Sequence, residues 1–123
     1  MTVRVLIVDD DPAIGQMLRL MLSRGDYAVV GEAYTGADAM IQYDELLPDV
    51  VLLDIMMAGA DDGLLTLEKI VAKHPRARMV MCSALGSKEV IHLSFKLGAC
   101  DYLVKPFTPD QVRSAISRAV EAL

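Results

Sequence analysis

The amino-acid sequence predicts an α/β protein, a doubly wound five-stranded parallel sheet flanked by five helices. Three observations carry that prediction. Short β-branched runs alternate five times with stretches of helical periodicity, and the connections between them are brief. One run, Val50-Val51-Leu52-Leu53, is apolar at successive positions, as a strand covered on both faces requires. Short βα connections in one sheet imply right-handed crossovers, with helices on both faces. No linker, repeat or low-complexity stretch divides the 123 residues, so one domain spanning 1–123 is expected.

Val3 to Val8 reads as the first strand, and Ile14, Met17, Leu18, Met21 and Leu22 then recur at helical spacing. Asp11 before Pro12 marks that helix's start: the aspartate caps free N–H groups, and proline at the first helical position gives up a donor that has no partner there. The Arg24-Gly25-Asp26 turn leads into a weaker strand, Tyr27 to Glu32. Thr35 opens a helix carrying Ala37, Met40 and Ile41, which ends before Pro48. Asp49 to Asp54 is the third strand. From Asp62, the residues Leu64, Leu67, Ile70 and Val71 mark a third helix that stops at His74-Pro75. Arg78 to Ser83 is the fourth strand. After Gly86-Ser87, Val90, Leu93, Ser94 and Leu97 form one face of a fourth helix, with Gly98 where a left-handed C-cap belongs. Cys100 to Val104 is the last strand. Thr108-Pro109-Asp110-Gln111 is a capping box opening a helix with Val112, Ala115, Ile116, Ala119 and Val120 on one side.

Composition removes several functions. Uninterrupted apolar runs reach only four residues, as in Val5 to Val8, too few for a membrane span, and no basic segment leads into an apolar one at the N-terminus. A cytoplasmic protein with no membrane insertion is expected. Twelve Lys and Arg against 17 Asp and Glu give a net charge of −5, which disfavours direct nucleic-acid binding by this chain. Cys82 and Cys100 fit no zinc spacing and read as reduced thiols. His74 reads as a helix-ending residue and His92 as a surface one.

In open parallel sheets the ligand lies beyond the carboxyl ends of the strands. The first strand ends in Asp9-Asp10, the third in Asp54, the fourth in Ser83 and the fifth in Lys105. If the first and third strands are neighbours, about 4.8 Å apart, their terminal carboxylates converge. Like charges at that range need compensation, and an all-oxygen ligand set suits magnesium rather than zinc. Lys105 adds a second cationic centre, and Ser83 a hydrogen-bond donor, which together describe a site for a phosphoryl group.

Four segments, Val5-Leu6-Ile7-Val8-Asp9-Asp10-Asp11, Pro48 to Asp54, Met81-Cys82-Ser83-Ala84 and Gly98 to Phe107, resemble the receiver domain of two-component response regulators over essentially the whole chain. The resemblance implies a flavodoxin-like sheet of strand order 2-1-3-4-5. It implies that Asp54 is the phosphoacceptor, that Asp9 and Asp10 hold Mg2+ with Asp54 and the Met56 backbone carbonyl, and that Lys105 binds the phosphoryl group. Ser83 then matches the switch hydroxyl and Tyr102 the aromatic that reorients with it; the Lys105-Pro106 bond is cis in the family. The function implied is a switch rather than a turnover enzyme: a sensor histidine kinase donates the phosphoryl group in a self-catalysed transfer, hydrolysis later removes it, and a downstream partner reads helix four, strand five and helix five.

The pattern departs in one loop. Where the family usually shows a proline four residues after its acceptor, Ala58 stands here, and Gly63 follows Asp61-Asp62 one residue late, so a longer loop over Ala58 to Asp62 is expected. Other chemistries on similar folds fit less well. An aspartate-dependent phosphatase wants a second Asp where Met56 stands, and a flavin carrier wants a phosphate loop where Asp9-Asp10-Asp11-Pro12 would repel phosphate. The stretch Cys82-Ser83-Ala84-Leu85-Gly86 is similar to single-domain chemotaxis-type regulators, whereas Gln111 and Ala115 depart from the winged-helix class. A receiver cut from a larger regulator with a DNA-binding or enzymatic output domain, and a phosphate sink, are the alternatives.

Overall fold

A computed structural model describes residues 1–57 and 63–121. The strands are β1 (Val3–Val8), β2 (Tyr27–Ala33), β3 (Val50–Asp54), β4 (Met79–Ser83) and β5 (Asp101–Val104). The helices are α1 (Pro12–Leu22), α2 (Gly36–Leu46), α3 (Gly63–Lys73), α4 (Lys88–Lys96) and α5 (Pro109–Glu121). The sheet is wholly parallel with order β2-β1-β3-β4-β5, the order that the family resemblance implies. The expected loop over Ala58 to Asp62 lies outside the described residues.

The two-residue period of a strand divides the core in two. Leu6, Val8, Val51, Leu53, Met79 and Met81 face one side, where α2 and α3 close over them with Ala39, Tyr43, Leu67 and Ile70. Val5, Ile7, Val50, Leu52, Val80 and Cys82 face the other, under α1 and α5 with Leu18, Leu22, Val112, Ala115 and Ile116. Each fully buried Leu or Ile side chain contributes roughly 1.5–3 kcal/mol, so the three central strands anchor the molecule. Their ends are thereby held as a rigid platform.

The start signals act as their residue types require. Asp11 accepts from Ala13 N–H at 3.0 Å, Thr35 from Asp38 N–H at 3.0 Å, and Ser87 from Val90 N–H at 3.3 Å. Thr108 and Gln111 form the reciprocal capping box, at 3.2 and 2.8 Å. Gly98 ends α4 at φ +113°, a conformation that other residues rarely adopt.

Two helix faces differ from the expectation. On α2 the buried positions are Gly36, Ala39 and Tyr43, while Ala37 is exposed and Ile41 is 57% exposed. A Gln42 hydrogen bond to the Glu32 carbonyl at 2.9 Å accompanies this rotation, which lays the Tyr43 ring on the core. On α4, Ser94 is buried and Leu93 is exposed, because Ser94 satisfies its hydroxyl on the Val90 carbonyl at 2.8 Å.

Candidate functional site

The platform places the charged strand ends together. Val8 pairs with Leu53 across β1 and β3, so the residues that follow, Asp9 and Asp54, are neighbours at the carboxyl-end rim. Asp9 and Asp54 are buried, at 4% and 5% exposure, and Asp10 beside them is more open. One carboxylate oxygen from each of the three lies within 4.8 Å of the others. Lys105, directly after β5, reaches across β4. Its Nζ donates to Asp9 Oδ2 at 2.9 Å and stands 3.6 Å from Asp54 Oδ2.

Backbone groups fix the carboxylates. Asp9 Oδ1 accepts the Asp11 N–H at 2.9 Å, and Asp54 Oδ1 accepts the Met56 N–H at 3.2 Å. Gly63 clamps the end of β3 from the other side: its N–H donates to the Ile55 carbonyl at 2.8 Å, and a Cβ there would stand 2.0 Å from the Asp54 carbonyl oxygen. Only glycine fits so close an approach. Met56 itself turns outward, 60% exposed.

Ser83 ends β4 fully buried, and its hydroxyl accepts the Leu85 N–H at 3.2 Å. Tyr102, half-buried on β5, donates its phenol to the Leu85 carbonyl, close to the Ser83 hydroxyl. Leu85 therefore ties both side chains through its backbone. The sequence reading missed it. The available signal was Ser83 two positions before Leu85, the spacing of a serine turn. The Lys105–Pro106 bond is cis, as the resemblance implies, and the Lys105 N–H donates to the Ser83 carbonyl at 2.9 Å.

Electrostatics sets the site's need. Burial, and then the charge of Asp9, pushes the Asp54 carboxyl above the usual carboxylate range, while Lys105 and the Met56 N–H pull it only partly back. Burial by itself would lower Lys105, but its hydrogen bond to Asp9 and the charges of Asp54 and Asp9 outweigh this and raise it. The ammonium therefore stays charged. Burial pushes the Tyr102 phenol and the Cys82 thiol upward, so Cys82, paired in register with Asp54, is an inert core residue. Three carboxylates converge, Lys105 pairs with two of them, Asp9 and Asp54, and all the converging metal-ligand atoms are oxygens, so the residues present fit a hard divalent cation.

The fold and this rim define a class: an α/β domain whose acidic, cation-competent pocket lies at the carboxyl ends of a doubly wound sheet. The chain belongs to the response regulator receiver domain family, whose model matches residues 5–117. It is 42% identical over 118 residues to the chemotaxis protein CheY of Listeria monocytogenes, covering 96% of this chain and 98% of that one. To CheY of Bacillus subtilis it is 38% identical over 117 residues, covering 95% and 97%. Among solved structures, a CheX–CheY complex with BeF3 and Mg2+ from Borrelia burgdorferi matches with a TM-score of 0.88 and 30% identity, covering 93% of this chain and 86% of that one. This is a CheY-like domain of two-component signalling. Among the described residues, no helix is long and apolar enough to cross a membrane.

Proposed function

We propose that residues 1–123 act as one phosphorylation-activated switch of a two-component phosphorelay in the cytoplasm. An Asp54 carboxylate oxygen takes the phosphoryl group from a phosphohistidine on a sensor histidine kinase; the P–N bond breaks as the P–O bond forms. Asp9, Asp10, Asp54 and the Met56 backbone carbonyl would hold Mg2+, and the ion would supply positive charge to the transferring group. Lys105 neutralises a further oxygen, exchanging its present carboxylate partners for the phosphoryl group, and Ser83 donates its hydroxyl to another.

Ser83 and Tyr102 already share Leu85, so a Ser83 drawn toward Asp54 disturbs the Tyr102 contact on β5. That carries the change to α4, β5 and α5, the face offered to a downstream protein partner. Hydrolysis of the acyl phosphate resets the domain without a separate enzyme. The observation that supports this reading is the convergence of three carboxylates within 4.8 Å of one another on one rim, with Lys105 paired to Asp9 and Asp54.

Intact-mass spectrometry after incubation with acetyl phosphate and Mg2+ tests it. One phosphoryl group is expected on the wild type and none on Asp54→Asn, because an amide has no nucleophilic oxyanion. A phosphorylated Asp54→Asn protein would move the acceptor elsewhere.

A further inference from the structure

The opposite end of the sheet carries a second concentration of charge, of the other sign. Residues 69–78 hold Lys69, Lys73, Arg76 and Arg78 with no acidic residue, which is four of the chain's 12 lysines and arginines in a protein of net charge −5. The structure folds much of this run around a cleft of about 410 Å³ where the ends of α2 and α3 meet, lined by Tyr43, Lys73, His74, Pro75, Arg76 and Ala77. That size falls in the range of small-molecule sites, about 300–1,000 Å³.

Among the described residues, one carboxylate, Asp44, pairs with side chains of this run. Asp44 Oδ2 accepts from Lys73 Nζ at 2.5 Å and Asp44 Oδ1 pairs with His74 Nε2 at 2.7 Å, so both of its oxygens are engaged. The His74 ring rests against that of buried Tyr43, with centroids 4.6 Å apart. Arg76 is exposed and has no hydrogen bond or ion pair among the described residues. Lys73 completes the charge pattern of the last turn of α3, where cations offset the helix dipole, but Arg76 lies beyond the helix and gains nothing from that dipole. Arg78 adds a cation near Tyr43, and its buried Nε has no acceptor.

We propose that this cleft binds a small phosphate-bearing anion, held by the Arg76 fork and by Lys73, with Asp44 as a built-in competitor for Lys73 and His74. A guanidinium with no partner among the described residues, lining the same cleft as an ammonium, matches the oxygens of a phosphate group. The net charge of −5 repels an extended polyanion at long range, whereas a compact anion meets mainly the local cations. Binding draws Lys73 and His74 from Asp44, and so loosens the tie between α2 and α3.

The test is a ¹H–¹⁵N NMR titration of the whole chain without divalent cation, using inorganic phosphate and AMP in separate series. Saturable shifts are expected at residues 43–44 and 73–78, with the amides of Asp9, Asp54 and Lys105 unmoved. Response to both probes identifies the phosphate group as the ligand, and response to AMP alone identifies a phosphate ester. Arg76→Gln, at an exposed position that leaves folding intact, is expected to weaken binding about tenfold. Asp44→Asn is expected to tighten it severalfold by freeing two donors. Shifts centred on the acidic rim, no saturation, or an Arg76→Gln titration equal to wild type would overturn the proposal. Shifts at 73–78 produced by heparin but by neither small probe would also overturn it, reassigning the patch to macromolecular polyanions.

Discussion

The two ends of the sheet carry opposite imbalances. At the carboxyl end, Asp9 and Asp54 share Lys105; at the amino end, Lys73 and His74 share Asp44, and Arg76 has no partner among the described residues. They differ also in depth. Asp9 and Asp54 are buried, whereas the Asp44 and Lys73 side chains are 37% and 57% exposed. Water screens the second group and barely reaches Asp9 and Asp54, so a charge acts more strongly there. Unbalanced charge of one sign on a rigid platform marks a place for a ligand of the other sign, and burial sets how much that ligand matters.

Substitutions at the rim should therefore have the largest effects. Asp9→Asn removes one of the carboxylates and half of the Lys105 pairing. We expect Mg2+ affinity, by calorimetry, and the rate of phosphorylation by acetyl phosphate to fall together by about 100-fold or more. Unchanged Mg2+ affinity would break the contrast, because the rim would then hold its cation without Asp9.

The next effect concerns the platform. Gly63→Ala drives a Cβ to within 2.0 Å of the Asp54 carbonyl oxygen, whereas Gly86→Ala meets nothing closer than 3.4 Å. Gly63→Ala should lose about 1–3 kcal/mol in urea unfolding, and Gly86→Ala less than about 0.5 kcal/mol. Equal losses would mean that the end of β3 yields freely, and that the rim is less rigid than its contacts imply.

The smallest effect is expected at the amino end. Hydrogen bonds from Lys73 and then His74 hold the Asp44 carboxyl below its usual range. A carboxylate lowered in the fold stabilises it at pH values above its unfolded-state pKa, about 3.9, and that contribution disappears as pH falls through the folded value. Asp44→Asn should thus lower Tm by about 1–2 °C at pH 7 and leave it unchanged near pH 2. A larger difference at pH 2 than at pH 7 would contradict the pairing.

The strands and the caps were legible because each rests on local pattern: β-branched runs, Asp11-Pro12, and the Thr108 to Gln111 box. The rim was legible because a parallel strand delivers its last residue to a known edge, and the motif resemblance supplied the strand order that brings Lys105 to Asp9 across 96 positions. What the sequence hid was rotation and long-range pairing. On α2, Ala37 with Ile41 and Ala39 with Tyr43 both recur four residues apart, and only packing decides between the two faces. His74 looked like a helix end, and the sequence gives no sign of its bond to Asp44, 30 residues away. The Tyr102 phenol ends on a backbone carbonyl, an acceptor that every residue possesses.

Asp9 and Asp54 share one ammonium between them, and Asp54 reports what a bound cation adds. Its carboxyl is raised in the fold, chiefly by burial, so the fold favours the protonated form; stability from this group is greatest below the unfolded-state pKa and is lost as pH rises through the folded value. At pH 7 without metal, the buried Asp54 carboxyl beside Asp9 therefore destabilises the domain, and Asp54→Asn relieves it. The direct measurement is Tm of both proteins at pH 7, with EDTA and with Mg2+. In EDTA the variant should melt higher, by about 3–6 °C, and Mg2+ should raise the wild type while hardly moving the variant. A variant that melts at or below the wild type in EDTA, and gains as much from Mg2+, would show that Asp54 carries no unmet charge.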